Sequence, residues 1–84
     1  GYNPGMHQSP ALFAIRTFGG VRVLARAIGR SPANVSRWHQ PKERGGHGGK
    51  IPTSMMAKIL KVAQKLDLDL TAEDLILGRT VNGR

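Results

Sequence analysis

Four arginines, Arg22, Arg26, Arg30 and Arg37, fall within sixteen residues of this chain. The first three recur at intervals of four, the spacing that keeps side chains on one side of a helix. A guanidinium is planar, permanently charged and forked. It can therefore grip a phosphate, or the O6/N7 edge of guanine, through two parallel hydrogen bonds. Arg37 sits inside SPANVSRWHQ (Ser31–Gln40), where Val35 and Trp38 are the large apolar residues and the others are small or polar. This set of side chains is suited to recognising a polyanion rather than to making or breaking bonds. The sequence offers no carboxylate pair, nucleophile–base set or ligand cluster, so no enzymatic activity is expected.

These residues need elements to hold them, and the sequence supplies five helices. Ser9-Pro10 is a hydroxyl cap followed by proline in the first turn. ALFAIRTF follows, with Leu12, Ile15 and Phe18 expected on one face before Gly19-Gly20 ends the helix. In VRVLARAI, residues Val21, Leu24, Ala25 and Ile28 make an inward stripe, and Gly29 ends it by taking up the left-handed conformation. Ser31 and Pro32 open a third helix that Pro41 closes. A fourth runs from about Ile51-Pro52 to Leu66, with Met55, Ile59, Val62 and Leu66 inward and Met56, Leu60 and Ala63 beside them. Lys58, Lys61 and Lys65 lie on its opposite, solvated side. LDLDL reads as an extended connection. Thr71 caps a last short helix through Leu77, with acids in its first turn. The expected fold is all-α: a compact five-helix bundle with a long, basic, glycine-rich loop, PKERGGHGGK, between the third and fourth helices.

The second and third helices satisfy the requirements of a helix-turn-helix. Ala25 is the small residue where two helices cross, and Gly29 is the turn residue. Leu24 and Ile28 anchor one helix and Val35 and Trp38 the other. Residues advance about 100° each around a helix. With Val35 and Trp38 inward, Ala33, Ser36, Arg37 and Gln40 point outward, and Asn34 lies at the flank. These five are the candidate base-reading residues. Arg37 is the foremost for guanine; Ser36, Asn34 and Gln40 can hydrogen-bond, and Ala33 can touch a thymine methyl. Candidate phosphate contacts are Arg22 and Arg30, Ser31 at a helix N-terminus, and Lys42, Arg44 and Lys50 of the loop. A solvated helix face and an idle flexible loop are the plainer alternatives for the same residues. Trp38 is read as core rather than as a stacking platform.

Over residues 9–77 this pattern resembles the Cro-type helix-turn-helix family of phage repressors and related bacterial antitoxins and regulators. The glycine pair before the second helix, the Ile-Pro entrance to the fourth and the TAEDL helix share in the likeness. The resemblance implies a DNA-binding transcriptional regulator, a repressor acting as a homodimer on a palindromic double-stranded operator. The competing class is a protein-interaction module, an antitoxin or phage accessory protein, carried by the acidic, leucine-rich tail. RNA is a weaker fit, because no aromatic platform is available for stacking bases.

Composition agrees with a polyanionic partner. The 84 residues carry a net charge of +8. Residues 1–66 hold eleven Lys/Arg against Glu43 alone, while residues 67–84 hold two arginines against four acids. With no cysteine, neither a disulfide nor a thiolate metal site can form. His39 and His47 lack partners for a metal, and GGHGGKI misses the first glycine and the hydroxyl of a phosphate-binding loop. No cofactor, membrane or small-molecule substrate is expected, and a cytoplasmic location is. Domain boundaries are placed at 9–78, with 1–8 disordered ahead of it and 79–84 frayed behind. Met6 could be the natural start, with GYNPG added before it.

Overall fold

The computed structural model describes residues 6–81; the remainder of the expected N-terminal segment (1–5) and frayed end (82–84) lie outside the described residues. Five helices dominate, α1 (Pro10–Phe18), α2 (Val21–Ile28), α3 (Pro32–His39), α4 (Thr53–Lys65) and α5 (Ala72–Leu77). Two short strands, β1 (Met6–Gln8) and β2 (Arg79–Val81), pair antiparallel. The chain is thus mostly helical rather than all-α.

The helix ends follow from the residues present. Ser9 accepts a hydrogen bond from the Leu12 N–H at 3.3 Å and Ser31 one from Asn34 at 3.2 Å, each just ahead of a proline. In this way the hydroxyl satisfies one orphan donor, and proline has none to leave unpaired. Thr71 and Asp74 bond each other's backbone N–H groups in a reciprocal box at the start of α5. Gly29 ends α2 with φ 72, a left-handed geometry that admits glycine at little cost and lets the chain turn into α3.

The buried face of α1 differs from the expected stripe. Ala11 and Ala14 are fully buried with Phe13, Ile15 and Phe18, whereas Leu12 is only half-buried. Small side chains let neighbouring elements come close to a helix, and a count of large apolar residues overlooks them. On α4 the core residues are Met55, Ile59 and Ala63; Leu66 is 55% exposed. The helix ends one residue earlier, and Asp67 turns the chain with φ 58. Leu66 is thereby carried off the stripe. Asp is among the few residues that tolerate this left-handed state. The centre of the core is Leu24, Ile28, Val35, Trp38, Ile59 and Leu75.

Residues 6–8 and 79–81 were expected to lie outside the fold, but they form the small sheet, with Met6 opposite Val81 and Gln8 opposite Arg79. Two three-residue runs at opposite ends of a chain carry no readable alternation, so their pairing is a tertiary outcome. Arg79 anchors it. Its Nε donates to Asp74 Oδ1 at 3.0 Å, its Nη1 donates to Asp69 Oδ2 at 2.8 Å, and its guanidinium lies 4.5 Å from the Phe13 ring centre. Burial pushes the Asp74 carboxyl up, but hydrogen bonds from Arg79 and Thr71 outweigh this and hold it below the ordinary range. The Arg79 hydrogen bond and charge also lower Asp69.

A carboxyl depressed in the folded state binds its proton more weakly there than in the unfolded chain. Its stabilising contribution is complete above the ordinary carboxylate pKa of about 4 and is lost as pH falls through the lower folded value. Unfolding measured by circular dichroism should therefore show stability that is flat from neutrality down to about pH 5 and then declines. Arg79→Met should flatten that acid limb.

Candidate nucleic-acid interface

The outer surface of α3 is built by its inner one. Val35 and Trp38 are buried to 0% and 1% exposure, and they lock the helix against α2 and α1. On the opposite side Ala33, Asn34 and Arg37 are exposed, and Ser36 and Gln40 are half-buried. Gln40 Nε2 donates to Ser36 Oγ at 3.3 Å, so these two present one joined polar edge rather than two free side chains. At the helix start Pro32 has no N–H and Ser31 takes that of Asn34, which leaves the Ser31 and Ala33 N–H groups as open donors among the described residues.

Beside this helix start lies a shallow hollow of about 280 Å³ lined by Arg22, Ala25, Arg26, Arg30 and Pro32. Arg22 and Arg26 meet there because the four-residue spacing stacks them on the outer face of α2, Arg30 joins them from the α2–α3 turn, and Ala25 is small enough to let α3 approach. Arg30 is held across to α4, its Nε lying 3.3 Å from Met55 Sδ. Two members of this basic surface were not among the expected phosphate contacts. Arg26 was legible from the same spacing as Arg22 and Arg30. Lys58, expected on the solvated side of α4, has its Nζ 3.8 Å from where a Cβ on Gly29 would stand, beside the α2–α3 turn. Only the packing of α4 on α2 brings it there, and no local pattern carries that information.

The segment between α3 and α4 is not an open flexible loop. It begins with a 3-10 turn, Lys42–Arg44, and then folds back on the end of α3. The N–H groups of His47, Gly48 and Gly49 donate to the carbonyls of Arg37, Gln40 and Trp38 at 3.0, 2.9 and 2.7 Å. The Ala11 N–H in turn donates to the Gly49 carbonyl at 2.9 Å. The last carbonyls of a helix have no intrahelical partner; here a glycine strap supplies them and ties α3 to α1. Lys42, Arg44 and Lys50 are exposed along the strap, and the Lys42 stem lies over Gly48. All six expected phosphate contacts are thus exposed, but they divide into two groups: Arg22, Arg30 and Ser31 at the head of α3, and the strap residues at its tail.

The strap's close approach is tested at Gly46. A Cβ there would stand 2.2 Å from the Gln40 carbonyl oxygen, an impossible contact with backbone. Gly46→Ala should cost about 1–3 kcal/mol of stability by denaturant unfolding, since the strap must shift away from α3.

Among the described residues no group of three or more metal-ligating side chains converges, and no helix is long and apolar enough to cross a membrane. Comparison with family models, with curated proteins and with solved structures gave no match. The functional reading therefore rests on the geometry and charge of the α2–α3 surface.

Proposed function

We propose that this protein is a sequence-specific double-stranded DNA-binding regulator, a Cro-like repressor built on a helix-turn-helix formed by α2 and α3. The observation that carries the reading is the pairing of a slim polar helix face, with Arg37 exposed, and an arginine-lined hollow at that helix's N-terminus. Eight residues at about 1.5 Å rise make a helix about 12 Å long, comparable to the width of the major groove.

The mechanism follows from the division of the basic residues. Arg22, Arg26 and Arg30 neutralise phosphates on one side of the groove and set the register of α3. Lys42, Arg44 and Lys50 do the same from the strap. Arg37 then reaches the O6/N7 edge of a guanine, while the joined Ser36–Gln40 edge and Asn34 sort the neighbouring pairs. A single module contacts few base pairs, so two copies on a palindrome, with half-sites about 34–36 Å apart, give useful discrimination. Repression is by occupation of the operator, in the cytoplasm of a bacterial or phage-infected cell.

Selection from a random duplex pool, followed by titration at fixed salt, tests the reading. The recovered site should bind about a thousandfold more tightly than random duplex. Equal affinity for both would remove sequence reading from the account. In the same titration Arg22→Ala should weaken every duplex alike and reduce the slope of log K against log salt by about one.

A further inference from the structure

Arg30 stands where the backbone motif usually takes an apolar residue. Its N–H donates to the Ala25 carbonyl at 2.9 Å, and the Gly29 N–H donates to the Arg26 carbonyl, the paired bonds of a Schellman motif at the end of α2. The residue after the turn glycine of this motif commonly packs an apolar side chain back on its own helix. Arg30 instead crosses to α4, where its Nε donates to Met55 Sδ at 3.3 Å. Met55 is buried in the first turn of α4, an entrance fixed by buried Ile51 and by the Met55 N–H bond to the Pro52 carbonyl at 2.9 Å.

The charged residues around Arg30 are cations. Arg22 and Arg26 share its hollow, and Lys58, three residues on from Met55, lies beside the α2–α3 turn. The ion pairs of the described residues join Arg79 to Asp69 and Asp74 and leave Arg30 out. Like charges at this range drive an untethered guanidinium into solvent, where a long side chain also has the most rotamer freedom. A thioether sulfur accepts a hydrogen bond but carries no charge. It can therefore hold a guanidinium among other cations without neutralising it. A carboxylate in its place would cancel the charge that a phosphate needs.

We infer that Met55 is a positioning residue for Arg30: its sulfur holds Nε at α4 and so keeps the two Nη groups, with four free N–H donors, ready at the arginine hollow for a phosphate oxygen. This rests on the phosphate role proposed above for Arg30 and adds the residue that prepares it. Holding a side chain in its bound conformation raises affinity by removing the cost of ordering it on binding. The gain is the same on every duplex, because phosphates carry no base identity.

Met55→Leu removes the acceptor and nearly conserves volume, so the core keeps its packing. Nitrogen relaxation of the arginine Nε–H groups in the free chain reads their order on the picosecond–nanosecond scale. Arg30 should be the most restrained of Arg22, Arg26 and Arg30, and Met55→Leu should bring it to the mobility of the other two. In duplex titrations Met55→Leu should weaken operator and random duplex alike by about threefold, the scale of ordering one long side chain. The slope of log K against log salt should not change, since the number of charges at the phosphates is the same. Arg30→Lys keeps the charge but has no Nε–H, and in that background Met55→Leu should cost nothing further. A merely structural Met55 would cost the same in both backgrounds. An Arg30 as mobile as Arg22 in the native chain, a Met55→Leu loss that persists beside Arg30→Lys, or a loss confined to the operator would each overturn the inference. Circular dichroism checks that the variants fold. The relaxation measurement uses no DNA, so its failure is distinct from failure of the operator reading.

Discussion

Trp38→Ala should produce one of the largest losses of stability of any single substitution in this protein. Trp38 is the largest fully buried side chain, and truncating such a residue costs about 3–5 kcal/mol in lost transfer energy and cavity. A chain of this size has about 4–13 kcal/mol of stability in all. The position also carries the strap, since the Gly49 N–H bonds the Trp38 carbonyl and Gly49 in turn holds α1. Loss of the ring therefore loosens α3, the strap and α1 together. Its indole N–H has no hydrogen-bond partner among the described residues. Trp38→Phe removes that unpaired donor while keeping an aromatic ring, and should cost only about 1–2 kcal/mol. Urea unfolding followed by far-ultraviolet circular dichroism separates the two variants. Equal, small losses would mean that Trp38 does not fasten α3 to the core.

Arg37→Ala carries the second large effect, on binding and not on folding. Arg37 is exposed and makes no side-chain hydrogen bond or ion pair among the described residues, so its removal leaves the core intact. Operator affinity should fall by about 1–3 kcal/mol, roughly five- to 150-fold, and preference should relax at one base position in each half-site. Affinity for random duplex should fall much less. The contrast with Arg22→Ala, whose loss is the same on every duplex, separates a base contact from a phosphate contact. A recovered site with an unchanged base preference would assign Arg37 to the phosphates.

Much of the fold is legible in the chain because punctuation and periodicity agree. Ser9-Pro10 and Ser31-Pro32 announce helices that the hydroxyls then cap, and Gly29 marks the turn between α2 and α3. The inward pair Val35 and Trp38 fixes by geometry which side of α3 faces outward, and Ala33, Asn34 and Arg37 are exposed there, while Ser36 and Gln40 are half-buried. The parts that were not legible are tertiary. Ala11 and Ala14 define the packed face of α1 by smallness, a property that gives no hydrophobic signal. Met6–Gln8 and Arg79–Val81 find each other across the whole chain, and their anchor, Arg79, is one cation among many in the sequence. The strap misleads for a related reason. Its composition of glycines and charges is that of a flexible loop, yet the glycines are what let its backbone approach the α3 carbonyls closely enough to bond them. Lys58 reaches the α2–α3 turn only because α4 crosses α2.

The central claim, that α3 enters the major groove and Arg37 reads a guanine, is tested most directly by a double-mutant cycle on the selected operator. Replacing single guanines by 7-deazaguanine removes the N7 acceptor and leaves Watson–Crick pairing untouched. At one guanine per half-site the replacement should cost the native protein about tenfold in affinity and the Arg37→Ala variant almost nothing. Costs that add independently at every guanine would contradict the account.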